Sequence, residues 1–224
     1  MAIIAEDATR AQPLVELEPG PFSTIDEAIE AIGRGEIVVV VDDPGRENEG
    51  DFVMAAELVT PAAVNFMTTH GRGIVCMPVL PERAGALGLN LLPRRGDYDG
   101  CAFTTSIDLA EPPNTGTSAV DRAHCMRRAA DPDATALEFR QPGHVFPLVA
   151  RPGGVLERAG HTEAAVDLAR MAGREPAGVI CEIMASDGTM ARLDDLLDVA
   201  RLQGLYLITI ADLIAYRQRK EGAA

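Results

Sequence analysis

Six ionisable side chains fall within ten residues in the stretch Asp42-Asp43-Pro44-Gly45-Arg46-Glu47-Asn48-Glu49-Gly50-Asp51. Carboxylates at this density repel one another unless a cation or an arginine sits among them. The stretch is therefore either a solvated acidic turn or half of a hard-cation site, and the second reading needs a partner from elsewhere in the chain. Three other segments carry groups of the right kind. In Arg158-Ala159-Gly160-His161-Thr162-Glu163, a helical pattern begins at Thr162, so free backbone N–H groups, the helix dipole, the Thr162 hydroxyl and the Arg158 guanidinium converge. That combination favours a phosphate or another anion, the bland alternative being a capped helix with a surface arginine. His161, one residue before the expected cap, could lend a neutral imidazole to a metal. Glu182 interrupts the apolar run Val179-Ile180-Cys181-Glu182-Ile183-Met184. Strand alternation places it beside Ile180 and Met184, where a carboxylate in apolar surroundings suits proton transfer near neutral pH; an edge position or a structural ion pair is the alternative. His144 follows Pro142-Gly143 at the entrance to an apolar strand and could act as acid, base or ligand, or as a hydrogen-bonded turn residue.

These groups need a scaffold, and the hydrophobic pattern supplies one. Ile37-Val38-Val39-Val40-Val41 reads as a strand buried on both faces, and Phe52–Ala56 resumes an apolar run beyond the charged stretch. Thr24 and Glu27 stand at capping-box spacing ahead of a helix that stops near Gly33. Thr60-Pro61 opens another helix to about Thr69, and further strands are expected at 73–78, 102–107, 145–150, 178–184 and 205–209. Pro112–Gly116 reads as a loop feeding a helix from Ser118, and helices are expected near 162–172, 190–202 and 211–218. The mixture predicts one three-layer α/β domain with a mixed sheet flanked by helices. A loose leader at 1–20, the domain at 21–218 and a polar tail at 219–224 complete the expected organisation.

Composition narrows the chemistry. With 20 basic against 34 acidic residues in 224, the formal charge of −14 argues against nucleic acid and anionic membrane surfaces as partners. Any anionic substrate must then be met by local arginines. The only lysine is Lys220, which disfavours a Schiff-base aldolase, a pyridoxal-phosphate enzyme or a P-loop nucleotidase. There is no GxSxG and no HExxH, and Gly71-Arg72-Gly73 does not continue into a dinucleotide fingerprint. Cys76, Cys101, Cys125 and Cys181 show no CxxC spacing and are expected to be buried thiols. The absence of an 18-residue apolar run and of a basic signal-like N-terminus leads to a cytoplasmic expectation.

Taken in order, Arg46-Glu47-Asn48-Glu49-Gly50-Asp51, His70-Gly71-x-Gly73-Ile74-Val75-Cys76, Thr115-Gly116-x-Ser118-Ala119-x-Asp121-Arg122, Pro142–Leu148, Arg158–Glu163 and Pro176–Glu182 resemble the 3,4-dihydroxy-2-butanone 4-phosphate synthase family of riboflavin biosynthesis. The resemblance runs from about residue 22 to residue 217. It implies a metal-dependent lyase that converts D-ribulose 5-phosphate into L-3,4-dihydroxy-2-butanone 4-phosphate and formate, with Mg²⁺ (or Mn²⁺) and no organic cofactor. Carried onto this chain, it implies Glu47 and His161 as metal ligands. Substrate would be held by Arg46, Glu47, Asp51, Arg158, Ala159, Gly160, His161, Thr162 and Glu182, with His144 and Glu182 essential for catalysis. It further implies a homodimer with the site near the interface, and it places Cys76 and Thr115–Ser118 along the pocket.

The chain departs from the family at Pro44-Gly45, where two acidic residues are usual, at His124-Cys125, where threonines are usual, and at Arg72, where a small residue is common. These differences keep two alternatives open: a relative acting on another ketose phosphate, and a catalytically silent homologue that binds sugar phosphate.

Overall fold

A computed structural model describes residues 22–93, 100–111 and 115–222. The expected leader at 1–20 and the Pro112–Asn114 part of the predicted loop lie outside the described residues. Seven strands form one mixed sheet in the order β4-β5-β3-β6-β2-β1-β7. They are β1 (Val38–Val41), β2 (Gly50–Ala55), β3 (Cys76–Val79), β4 (Ile107–Leu109), β5 (Phe139–Val149), β6 (Gly178–Glu182) and β7 (Leu207–Thr209). The helices are α1 (Ile25–Gly33), α2 (Pro61–Phe66), α3 (Pro81–Ala86), α4 (Ala119–Ala130), α5 (His161–Met171), α6 (Leu193–Gln203) and α7 (Ile210–Glu221). The single α/β domain with a mixed sheet expected from the pattern is present.

β2 lies between β1 and β6, antiparallel to both, and every residue of it is buried. Successive residues of a strand point to opposite faces, so Phe52 and Asp51 serve different layers. Phe52 packs edge-on against Phe66 of α2, with ring centroids 5.1 Å apart, whereas Asp51 faces His161 of α5. One layer is thus built on α2 and α4 and the other on α1, α5 and α7. The four valines of β1 are buried on both faces, each contributing about 1.5–3 kcal/mol relative to exposure.

Several boundaries differ from expectation for local reasons. β2 begins at Gly50, so Asp51 belongs to a strand rather than to the charged loop; that loop closes a hairpin between β1 and β2, with Asp42 N–H donating to the Glu49 carbonyl at 3.2 Å. The strand expected over 102–107 is reduced to isolated bridges, and β4 starts only at Ile107. β5 extends back to Phe139, so His144 lies within a strand, at a register irregularity, rather than on a preceding turn. The helix opened by Thr60 widens into a single π-helical turn at Met67–Gly71, which Arg72 ends in the left-handed region at φ 66°. Helix α3, started by Pro81, was not anticipated, and α7 runs through Glu221 into the expected tail. No helix among the described residues is long and apolar enough to cross a membrane.

Candidate active site

The acidic hairpin is organised around one buried carboxylate. Asp42, 4% exposed, accepts the backbone N–H of Glu49 on Oδ1 (2.8 Å) and that of Glu47 on Oδ2 (3.1 Å), while the Arg46 guanidinium donates to Oδ2 at 2.9 Å. Pro44-Gly45 close a tight turn, with Gly45 N–H on the Asp43 carboxylate at 2.7 Å and Arg46 N–H on the Asp43 carbonyl at 2.9 Å. The turn at this departure from the family pattern leads straight into Arg46 and its bond to Asp42. Arg192, just ahead of α6, donates to the carbonyls of Glu47 (3.1 Å) and Asn48, tethering the loop from a position 145 residues away. Nothing in the local sequence around Arg192 signals that contact.

Asp42, Glu47 and His161 each offer a ligand atom, all within 4.8 Å of one another. His161 is held by its Nε2–H, which donates to the Val40 carbonyl at 3.1 Å. That bond fixes the tautomer and leaves Nδ1 with its lone pair, the arrangement in which imidazoles bind metals. Burial pushes the His161 pKa down, partly countered by Asp42, so the ring stays neutral and able to ligate. The expected pair Glu47 and His161 is brought together. Asp42 is the member that sequence reasoning missed, although its place at the end of a buried valine strand marked it.

Asp51 and Glu182 face each other directly across β2 and β6. Paired side chains at such positions have Cβ atoms about 5 Å apart. Glu182 accepts the Ile74 N–H on Oε2 at 2.7 Å and is only partly buried, in contrast to the apolar enclosure expected for it: β6 ends there, and its carboxylate is turned to the Gly73-Ile74 backbone. Asp51 takes the enclosed position. It is 2% exposed, its Oδ1 has no hydrogen-bond partner, and it lies 3.8 Å from His161 Nδ1. Burial, then repulsion from Glu182, Glu49, Glu47 and Asp42, raises its pKa well above the ordinary aspartate value. Gly73 permits the approach, since a Cβ there would sit 2.4 Å from Glu182 Oε2.

The anion site also takes shape, with one correction. The helix α5 starts at His161 with Gly160 as its cap, and no side chain caps it; Thr162 is not the cap but is buried in the first turn, its hydroxyl 3.9 Å from Cys101 Sγ. A Cβ on Gly160 would meet Arg158 Nη1 at 2.4 Å and Arg46 Nη2 at 3.1 Å, so two guanidinium groups crowd the open helix start. Arg158 is steadied by Glu163, at 2.7 Å, a buried partner that the sequence pattern did not single out. Ala159 is exposed beside this cluster. Cys76, Cys125 and Cys181 are the expected buried thiols, whereas Cys101 is partly exposed.

His144 is not gathered into the cluster. It stands on β5, separated from β6 by β3, and two strand spacings amount to about 10 Å. Its ring Nδ1 is 2.9 Å from Asp108 Oδ2, a partner whose position in β4 no local pattern disclosed.

Comparison with known proteins agrees with this geometry. Residues 26–216 match the sequence pattern of the family described as 3,4-dihydroxy-2-butanone 4-phosphate synthase. The chain is 59% identical over 210 residues to the riboflavin biosynthesis protein RibBA of Aquifex aeolicus, covering 92% of this chain and 52% of that protein. It is 55% identical over 197 residues to the 3,4-dihydroxy-2-butanone 4-phosphate synthase of Pseudomonas aeruginosa, covering 88% and 54%. The chain thus spans about half the length of the curated relatives it matches. Among solved structures, a 3,4-dihydroxy-2-butanone 4-phosphate synthase in complex with two magnesium ions superposes with a TM-score of 0.84 at 45% identity, over 90% of this chain and 99% of that one. The two-domain RibBX of A. baumannii gives 0.84 at 48% identity, over 88% and 58%. With the family pattern matched over most of its length and the fold shared with those enzymes, the chain belongs to the 3,4-dihydroxy-2-butanone 4-phosphate synthase family.

Proposed function

We propose that this chain converts D-ribulose 5-phosphate into L-3,4-dihydroxy-2-butanone 4-phosphate and formate, a step of riboflavin biosynthesis, with Mg²⁺ or Mn²⁺ as cofactor. The observation that carries the reading is the convergence on one layer of a hard-ligand cluster, a facing carboxyl pair and two arginines at an open helix start. The residues fit a divalent cation. Glu47 and the free Nδ1 of His161 would hold it, with Asp42 behind them, and the unpartnered Oδ1 of Asp51 faces the same space. Bound there, the cation supplies Lewis acidity toward the ketose oxygens and makes the neighbouring carbon acidic.

The chain's own residues do the rest. Arg46, Arg158 and the first N–H groups of α5, at His161 and Thr162, take the phosphate, with Ala159 and the side-chain-free Gly160 shaping the approach. Asp51, enclosed beside the ligand cluster with Oδ1 unpartnered, meets a sugar hydroxyl. Glu182 has Oε2 fixed by Ile74 N–H, and no bond to Oε1 appears among the described residues, which leaves that oxygen to move the proton on carbon. His144 is the second proton-transfer group. The C1 hydroxyl then leaves, the carbon skeleton shifts, and C4 departs as formate.

A second copy of the chain is the partner we infer, as a homodimer whose interface runs beside the site. Phe146, two residues beyond His144 in β5, and Ile74, two residues ahead of the Cys76 that pairs with Phe146, expose 36% and 52% of their surface, apolar area that a second copy would cover. Light scattering at micromolar concentration is expected to give twice the chain mass; a monomer would remove the interface from the account. The activity itself is tested with a panel of ketose phosphates in the presence of Mg²⁺. Formate is expected from ribulose 5-phosphate in a one-to-one ratio and is lost with EDTA. Formate from a different ketose alone would point to the divergent reading, and none from any to the silent one.

A further inference from the structure

We propose that Asp108 is the positioning residue for His144, and that Gly116 is the cover that seals the pair. The proposal deepens the reading of His144 as a proton-transfer group and rests on it. Asp108 is 2% exposed on β4, whereas the His144 side chain on β5 is 48% exposed. Asp108 spends both oxygens on this one neighbour: Oδ1 accepts the His144 backbone N–H at 3.0 Å, and Oδ2 lies 2.9 Å from ring Nδ1. A carboxylate that already accepts the backbone N–H and an Arg140 guanidinium N–H at 3.3 Å acts as acceptor to the ring as well. Nδ1 therefore carries the proton, and Nε2, on the exposed side of the ring, is left as the basic nitrogen. An ion pair that only tied β4 to β5 would need one of these bonds; the two together fix both where the residue sits and which way its ring faces.

The surroundings are shaped to the same end. The two strands lose register between Ile107 and Asp108, so β5 bulges where His144 sits. Gly143 is pressed onto β4 so closely that a Cβ would lie 2.1 Å from the Ile107 carbonyl carbon, and this contact brings the His144 N–H within reach of Asp108. Gly116, at φ +91°, lies over the hydrogen bond itself. A Cβ there would stand 2.2 Å from Asp108 Oδ2 and 2.4 Å from His144 Nδ1. Its turn is held by the start of α4, where Asp121 accepts the Gly116 N–H at 3.1 Å and the Thr115 hydroxyl at 3.4 Å. Below, Cys125 of α4 donates its thiol to the Ile107 carbonyl, so the charged and titratable groups around Asp108 are Arg140, His144, Asp121 through its turn, and a thiol that burial and Asp108 push up to about 12. Water is thereby kept from the Asp108 side of the ring and admitted to the Nε2 side.

The test reads the tautomer directly. The chain has four histidines, so long-range ¹⁵N–¹H correlations of the histidine-labelled protein can be assigned with a His144→Gln reference. The wild type is expected to show His144 with Nδ1 protonated. In Asp108→Asn the ring should pass to the Nε2–H form, and kcat for formate release should fall about a thousandfold or more with KM nearly unchanged. Gly116→Ala, which alters no charge, should disturb the same His144 signals and lower kcat with KM again held. A wild-type His144 in the Nε2–H form, or folded Asp108→Asn and Gly116→Ala proteins with the wild-type tautomer and kcat, would overturn the proposal. A wild type that shows the expected tautomer but releases no formate would instead remove the activity and leave the positioning geometry standing.

Discussion

Replacing Glu182 by Gln should lower turnover by about three orders of magnitude or more while leaving substrate binding nearly unchanged. The substitution is close to isosteric, and the amide oxygen can still accept the Ile74 N–H that holds the carboxylate at 2.7 Å. What it removes is the capacity to take and return a proton. Binding energy resides elsewhere, in the two arginines at the start of α5 and in the ligand cluster, so KM should move little. Steady-state kinetics of formate release, with substrate affinity measured separately by calorimetry, separates the two effects. Turnover near that of the wild type would take Glu182 out of the mechanism. A weakened affinity with intact turnover would make it a binding group only.

Asp51→Asn should move activity and stability in opposite directions. Asp51 is enclosed, leaves Oδ1 without a partner and faces Glu182 across the sheet, an arrangement that costs stability in the metal-free chain. An amide of the same shape relieves the repulsion and should raise metal-free stability by about 1–3 kcal/mol. The pH dependence follows from the raised pKa of the folded state. Because the folded chain keeps the Asp51 proton to higher pH than the unfolded chain does, stability declines as pH rises above the ordinary aspartate range, and Asn removes that part of the slope. Activity should meanwhile fall about a hundredfold or more, since an amide can neither give nor take a proton at the unpartnered oxygen beside the metal ligands. Urea titrations in EDTA across pH 5–8, paired with formate assays in Mg²⁺, check both halves. A destabilised Asp51→Asn with full activity would contradict this account of the carboxyl pair.

The single chemical pieces of the site were legible because each is local: a charged hairpin beyond a valine strand, an arginine and a histidine at a helix start, a glutamate in an apolar strand. Their mutual relations were not. The bond that fixes the His161 tautomer joins residues 121 apart, and the one that holds Glu182 joins residues 108 apart. Periodicity placed Glu182 on a strand face but could not show that the facing residue would be Asp51, so it assigned the buried carboxyl to the wrong partner. Strand boundaries slipped for a similar reason. β4 and the start of β5 are defined by their pairing with each other, not by an apolar run, and the chain through Arg140–His144 is polar enough to read as a turn. The turn that Pro44-Gly45 forms presents Arg46 to Asp42 at 2.9 Å, a contact that the sequence departure alone did not disclose.

The most direct test follows the carbon that the reaction must lose. Ribulose 5-phosphate labelled with ¹³C at C4 is incubated with the Mg²⁺-loaded protein and observed by ¹³C NMR. The predicted result is one equivalent of labelled formate beside an unlabelled four-carbon phosphate, absent in EDTA and strongly reduced in Glu182→Gln. Label retained in the sugar phosphate, or no formate with metal present, would contradict the assignment.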